Sequence, residues 1–146
     1  MEIKVATQQD IVHFLAMGRK FAEVADEPMD RESLTQHLEW LIEDEHCIAY
    51  ICYDGEIPTG IVAGIWMPTF WDNSKINVTE MWWWVEDDYR KQGVGTMLID
   101  ALESWARDVG AWRLYMMTIA GLAPGIEKVY RDRGFRAREN TFVKEL

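Results

Sequence analysis

The chain has 146 residues, enough for one ordinary domain that buries roughly two-thirds of its unfolded-chain surface. Its composition is 49% hydrophobic and 27% charged, with four prolines and ten glycines, which excludes a disordered, collagen-like or low-complexity chain. A formal charge of −10 argues against a nucleic-acid binder, which needs a basic surface, and either serves solubility alone or steers cationic partners such as small amines or lysine side chains.

Ile3 to Ala6 reads as a short strand. A helix pattern follows from Gln8, with Ile11, Phe14, Leu15, Phe21, Ala22 and Ala25 close to a 3.6-residue period. Asp26, Glu27 and Pro28 break it, and Asp30 caps a second helix whose inner face is Leu34, Leu38, Leu41 and Ile42. Cys47 to Tyr53 and Gly60 to Met67 are apolar strands, and Asp54-Gly55 between them predicts an antiparallel hairpin. Pro68 to Asn77 is a loop carrying Phe70 and Trp71. Val78 to Val85 is a strand whose run Trp82-Trp83-Trp84 predicts burial on both faces and a central place.

A charged turn, Glu86 to Gly95, leads into a helix from Gly95 or Thr96 to Val109, with Leu98, Leu102, Trp105 and Val109 inward and Gly110 as its stop. Trp112 to Ile119 reads as a strand, Gly121 to Gly125 as a loop and Ile126 to Arg133 as a short helix. Phe135 to Leu146 reads as one or two closing strands. The order β-α-α-β-β-β-α-β-α-β predicts an α/β fold, a mixed sheet with helices on both faces, as a single domain over 1–146.

The longest uncharged run, Ile57 to Trp71, is shorter than the roughly 20 apolar residues of a membrane span, so no membrane partner is expected. Glu2, Lys4 and Asp10 give the first ten residues no secretory character, and the expected location is cytoplasmic. Cys47 and Cys52 lie an odd number of residues apart in one strand, so they face opposite ways and are expected to be reduced thiols rather than a disulfide or a zinc site. His13, His37 and His46 have no ligand spacing, and no metal is expected.

The segment from Val85 to Val109 carries the chemistry. A strand feeds Arg90-Lys91-Gln92-Gly93-Val94-Gly95-Thr96 into a helix N-terminus, where free N–H groups and the helix dipole favour a phosphate. Gly93 and Gly95 let backbone approach an anion without a Cβ, and Arg90 and Lys91 add charge. The spacing matches neither a P-loop nor a dinucleotide fingerprint, and the glycines can equally serve a tight strand–helix turn.

Arg90 to Gly95 resembles the R/Q-x-x-G-x-G/A loop of the GNAT superfamily of N-acetyltransferases. Thr7-x-x-Asp10 after the first strand resembles that family's start, and Tyr130-Arg131-Asp132-Arg133-Gly134-Phe135 its Y-x-x-x-G-F segment. The three pieces stand in the family's order over nearly the whole chain. The length and the ending Glu139-x-x-Phe142-x-Lys144 look similar to small bacterial and phage-encoded members.

The resemblance implies a GNAT fold and acetyl-CoA as co-substrate. Its diphosphate would lie on the N–H groups of Gln92, Gly93, Val94 and Gly95, flanked by Val85, Arg90, Lys91 and Thr96. Its pantetheine would lie between splayed strands, Thr79–Val85 and Trp112–Ile119. Tyr130 would protonate the leaving thiolate, a core tyrosine being the structural alternative. Glu80 is the acid available as general base, although the family's usual position falls on Thr79, and one residue changes the face of a strand unless a bulge intervenes. Ala120 to Gly125 lacks the asparagine that many members place there.

The acceptor side of the fold falls on Asp26 to Glu32 and Trp66 to Trp71. Asp26, Glu27, Trp66 and Trp71 suit a cationic amine through charge pairing and cation–π contact, or else form a solvated junction and a packing surface. The expected activity is N-acetylation of a primary amine, on a small molecule or a lysine or N-terminal amine, with a homodimer left open. The rival is a catalytically silent GNAT-like binding or inhibitory module acting on a protein partner. The displaced Glu80 and the missing asparagine favour that rival, while the glycine loop and Tyr130 oppose it.

Overall fold

The computed structural model describes all residues, 1–146. The elements are β1 (Glu2–Val5), α1 (Ile11–Ala25), α2 (Arg31–Glu43), β2 (Cys47–Asp54), β3 (Ile57–Pro68), β4 (Ile76–Val85), α3 (Val94–Asp108), β5 (Arg113–Tyr115) and α4 (Ile126–Asp132). The five strands form one sheet in sequence order. The first three pairings are antiparallel, and β4 pairs with β5 in parallel.

Strand alternation divides the core in two. Ile51, Ile61 and Ala63 face α1 and α2, where they meet Phe14, Met17, Leu38 and Leu41. Cys52, Val62 and Val78 face α3, where they meet Val94, Leu98, Leu102 and Ala106. Cys47 and Cys52 belong to opposite halves and both are free thiols, as their spacing requires. α1 and α2 start from caps written in the sequence: Thr7 and Asp10 form a capping box, and the Asp30 carboxylate accepts from Ser33 N–H at 2.8 Å.

Three expectations are corrected. β5 stops at Tyr115 instead of running to Ile119. The reason is local: both backbone groups of Met117 are taken by side chains, so the chain there has nothing to offer β4. The tryptophan strand is consequently central only in its first half. Trp82 and Trp84 point to the α1–α2 core and Trp83 to the α3 core, but past Thr79 one edge of β4 has no strand beside it.

The closing strands expected over Phe135 to Leu146 do not form. Gly134 turns the chain with φ of +84° and sets Phe135 against Tyr130, with ring centroids 5.7 Å apart. Beyond it, Phe142, Val143 and Leu146 are exposed, and a three-residue β5 offers little edge on which a strand could add.

Candidate active site

The site is built where β4 and β5 part. Their last register pair is Thr79 with Tyr115. Immediately beyond it the β3–β4 register slips: Ala63 pairs with Trp82, but Gly64 pairs with Glu80, which leaves Met81 as an extra residue. Strict alternation would set Glu80 on the same face as Trp82, under α1 and α2. The bulge at Met81 turns Glu80 instead to the face of Val62 and Trp83. Gly64 opposite has no room for a side chain, since a Cβ there would lie 2.7 Å from Leu102 Cδ1.

Glu80 is 5% exposed and accepts from Met117 N–H at 3.0 Å. Burial raises its carboxyl to about 7, and the Met117 N–H opposes part of that shift. Tyr130, on α4, donates from its hydroxyl to the Met117 carbonyl at 2.8 Å. Burial and the neighbouring Glu80 carboxylate push the phenol well above its ordinary range. Its ring lies between Trp83, at 6.1 Å, and Phe135. A carboxyl poised near neutrality and a held phenol therefore flank one backbone residue at the mouth of the split.

The glycine loop lies at the other end of β4. Gly93, with φ of +88°, caps α3, a conformation that costs an L side chain about 1–2 kcal/mol. The N–H groups of Val94, Gly95 and Thr96 have no acceptor in the chain, the first helical bond being Met97 N–H to the Gly93 carbonyl at 3.0 Å. Gln92 is different, because its N–H donates to the Tyr89 carbonyl at 3.3 Å and its side chain to the Asp88 carbonyl.

Arg90 is also committed within the chain. Its Nε donates to the Val85 carbonyl at 3.2 Å, its Nη1 pairs with Asp87 at 2.8 Å, and its guanidinium lies 4.9 Å from the Trp84 ring centroid. It braces the end of β4, and the exposed Lys91, with φ of +65°, is the free cation of the loop. Gly95 answers to the protein itself: a Cβ there would meet Trp83 Cζ2 at 2.9 Å. Trp83 Nε1 is buried beside this wall and has no partner.

The acceptor residues expected from sequence do not converge. Asp26 ends α1 in the left-handed conformation, with Glu27 exposed beside it. Trp66 packs into the α3-side core with the His46 ring tilted against it, centroids 4.2 Å apart. Trp71 is 89% exposed, edge-on to Phe70 at the tip of the β3–β4 loop. Sequence reasoning missed Met117, whose role is carried by backbone atoms and so leaves no signal in residue type. No group of side chains suited to a metal ion is present, and no helix is long and apolar enough to cross a membrane.

The Acetyltransferase (GNAT) family model matches residues 12–135, and the chain belongs to that family. No curated protein matches it in sequence. Among solved structures, a transcriptional regulator from Bacillus halodurans C-125 superposes with TM-score 0.82 at 19% identity, covering 99% of both chains. A predicted acetyltransferase with acetyl-CoA from Clostridium acetobutylicum gives 0.80 at 17% identity, covering 99% of this chain and 95% of its own. AAC(6')-Iy in complex with the bisubstrate analog CoA-S-monomethyl-acetylneamine gives 0.81 at 16% identity, covering 99% and 97%. At these identities the likeness is one of fold.

Proposed function

We propose that the chain is an acetyl-CoA-dependent N-acetyltransferase in which a primary amine attacks the bound thioester directly. The observation that carries this reading is the meeting of Glu80 and Tyr130 on Met117 at the point where β4 and β5 part. The residues fit the donor substrate. The free N–H groups of Val94, Gly95 and Thr96, with Lys91 at the rim, suit a diphosphate. The unpartnered edge of β4 from Met81 to Val85 suits an amide-bearing arm, and the buried Trp83 N–H is a further donor beside it.

Glu80 takes a proton from the incoming ammonium, for which a carboxyl near neutrality is well matched, the freed amine attacks the thioester carbonyl, and Tyr130 delivers a proton to the thiolate that leaves as the C–S bond breaks. Each contributes on the order of 10²–10⁴ in rate, and the remainder comes from holding amine and thioester together. The test is a calorimetric titration of the purified protein with acetyl-CoA, alongside Gly93→Trp. Saturable binding that the variant loses is the expected result. Thiol release is then screened with polyamines, aminoglycosides, amino acids and peptides. Absence of binding by well-folded protein overturns the reading.

A further inference from the structure

Arg113 opens β5 and stands in register beside Asn77, and Tyr115 stands beside Thr79 at the last pair before the split. Leu114 between them packs into the α3-side core. Alternation therefore turns Arg113 and Tyr115 to the opposite face of the split, away from Glu80 and Trp83. The two side chains meet there, with Arg113 Nη1 3.4 Å from the Tyr115 hydroxyl. The guanidinium also lies 3.7 Å from the ring centroid of Trp112.

No carboxylate pairs with this arginine, although acids outnumber Lys and Arg by 25 to 15 in the chain. It is the one cation in either strand bordering the split. Nor does it satisfy its register neighbour, because the buried amide oxygen of Asn77 has no donor. The guanidinium is thus fixed in position by an aromatic face and a phenol, with its fork uncommitted.

Such a group discriminates between amines. An acceptor that carries only an ammonium is repelled by a half-buried guanidinium, which weakens its approach. An acceptor that also carries a carboxylate gains a two-pronged, charge-assisted contact, strengthened where water is partly excluded. The arginine reaches along β5 toward Tyr115, two residues or roughly 7 Å on, in the direction of Met117. A carboxylate held there leaves the amine of the same small molecule to enter the split from the face opposite Glu80 and Trp83.

Resting on the acetyltransferase reading above, we infer that Arg113, with Tyr115, reads a carboxylate on the acceptor, so that the substrate class is a free amino acid. The test compares matched pairs that differ only in that carboxylate: lysine with cadaverine, phenylalanine with phenethylamine, and methionine with 3-(methylthio)propylamine. In thiol-release assays at saturating acetyl-CoA, the amino acid of at least one pair is preferred about tenfold or more in kcat/KM. Arg113→Gln removes the preference through KM, with kcat within about twofold, and leaves the decarboxylated partner unchanged or improved.

Preference for the decarboxylated amines, or equal losses for both members in Arg113→Gln, overturns the inference. Thermal shift of the CoA-saturated protein with the same pairs reads binding without turnover, and stabilisation by no amino acid overturns it as well. Failure to bind acetyl-CoA is read separately in the titration. That result removes the acetyltransferase reading and this inference with it.

Discussion

Glu80 and Tyr130 hold one residue from two sides: the Glu80 carboxylate accepts from Met117 N–H at 3.0 Å, and the Tyr130 hydroxyl donates to the Met117 carbonyl at 2.8 Å. A strand residue with both backbone groups engaged by side chains has none left for a ladder. The same two contacts therefore end β5, keep the strands apart beyond Thr79 and Tyr115, and set an acid and a phenol at the opening they create.

The Glu80 carboxyl, raised to about 7 by burial, makes activity and stability respond to pH in opposite senses. In the proposed role of base it works when ionised, so kcat/KM should climb as pH rises through about 7. Folding runs the other way. The unfolded chain releases this proton near 4.5 and the folded chain keeps it to about 7, so stability falls as pH rises across that window. Glu80→Gln keeps an acceptor for Met117 N–H and carries no charge. It should be more stable than the parent by roughly 3 kcal/mol at pH 8 and equal to it at pH 4. The same variant should lose about 10²-fold or more in kcat. Urea melts at the two pH values and a pH–rate profile check this, and equal stability at pH 8 would count against a buried carboxyl.

Tyr130→Phe separates turnover from binding. The ring keeps its contacts with Trp83 and Phe135, but the Met117 carbonyl loses its donor, at a cost of about 1–2 kcal/mol in stability. Acetyl-CoA affinity should stay within a few-fold while thiol release falls on the order of 10²-fold. Calorimetry and a single-turnover assay on one preparation decide it. Unchanged turnover would demote Tyr130 to a strand-splitting role and restore interest in the silent-module alternative.

Much of this architecture is legible in residue order, and the reasons are physical. α1, α2 and α3 each repeat apolar residues over several turns, and α2 begins at the one aspartate able to cap it, Asp30. The Met81 bulge is not legible, because a register slip depends on what β3 offers across the ladder, here the side-chain-free Gly64 under Leu102. Gln92 and Arg90 were expected to face a ligand, yet both are tied into their own turn, and residue type alone cannot distinguish those uses. The acceptor expectation failed to assemble for a related reason: Asp26 and Trp66 lie on opposite faces of the sheet, a relation that only topology fixes.

Gly93→Ala isolates the conformational demand of the loop. A Cβ at that position meets nothing within 4 Å, so the substitution tests the positive φ of +88° alone. The expected cost is about 1–2 kcal/mol in stability, with weaker acetyl-CoA binding as the first turn of α3 shifts. Gly93→Asn, which tolerates the left-handed region better, should recover part of both. If alanine is neutral in a denaturant melt, the loop reaches its geometry by another route.

Gly95→Ala tests a different constraint at a site only two residues away. Here a Cβ would stand 2.9 Å from Trp83 Cζ2, and that indole also contacts Tyr130, so the ring cannot move without disturbing the Tyr130 phenol. Overpacking of this kind costs about 1–3 kcal/mol. Trp83→Phe removes the six-membered ring that carries Cζ2, and the buried N–H without a partner goes with it. The double variant Gly95→Ala with Trp83→Phe should therefore be more stable than the sum of the two single losses requires, by about 1 kcal/mol or more. Urea melts of the four proteins measure that coupling. Additive losses would mean that Gly95 is needed for the ligand's approach rather than for Trp83, and acetyl-CoA titration of the same four proteins would then show the double variant binding no better than Gly95→Ala alone.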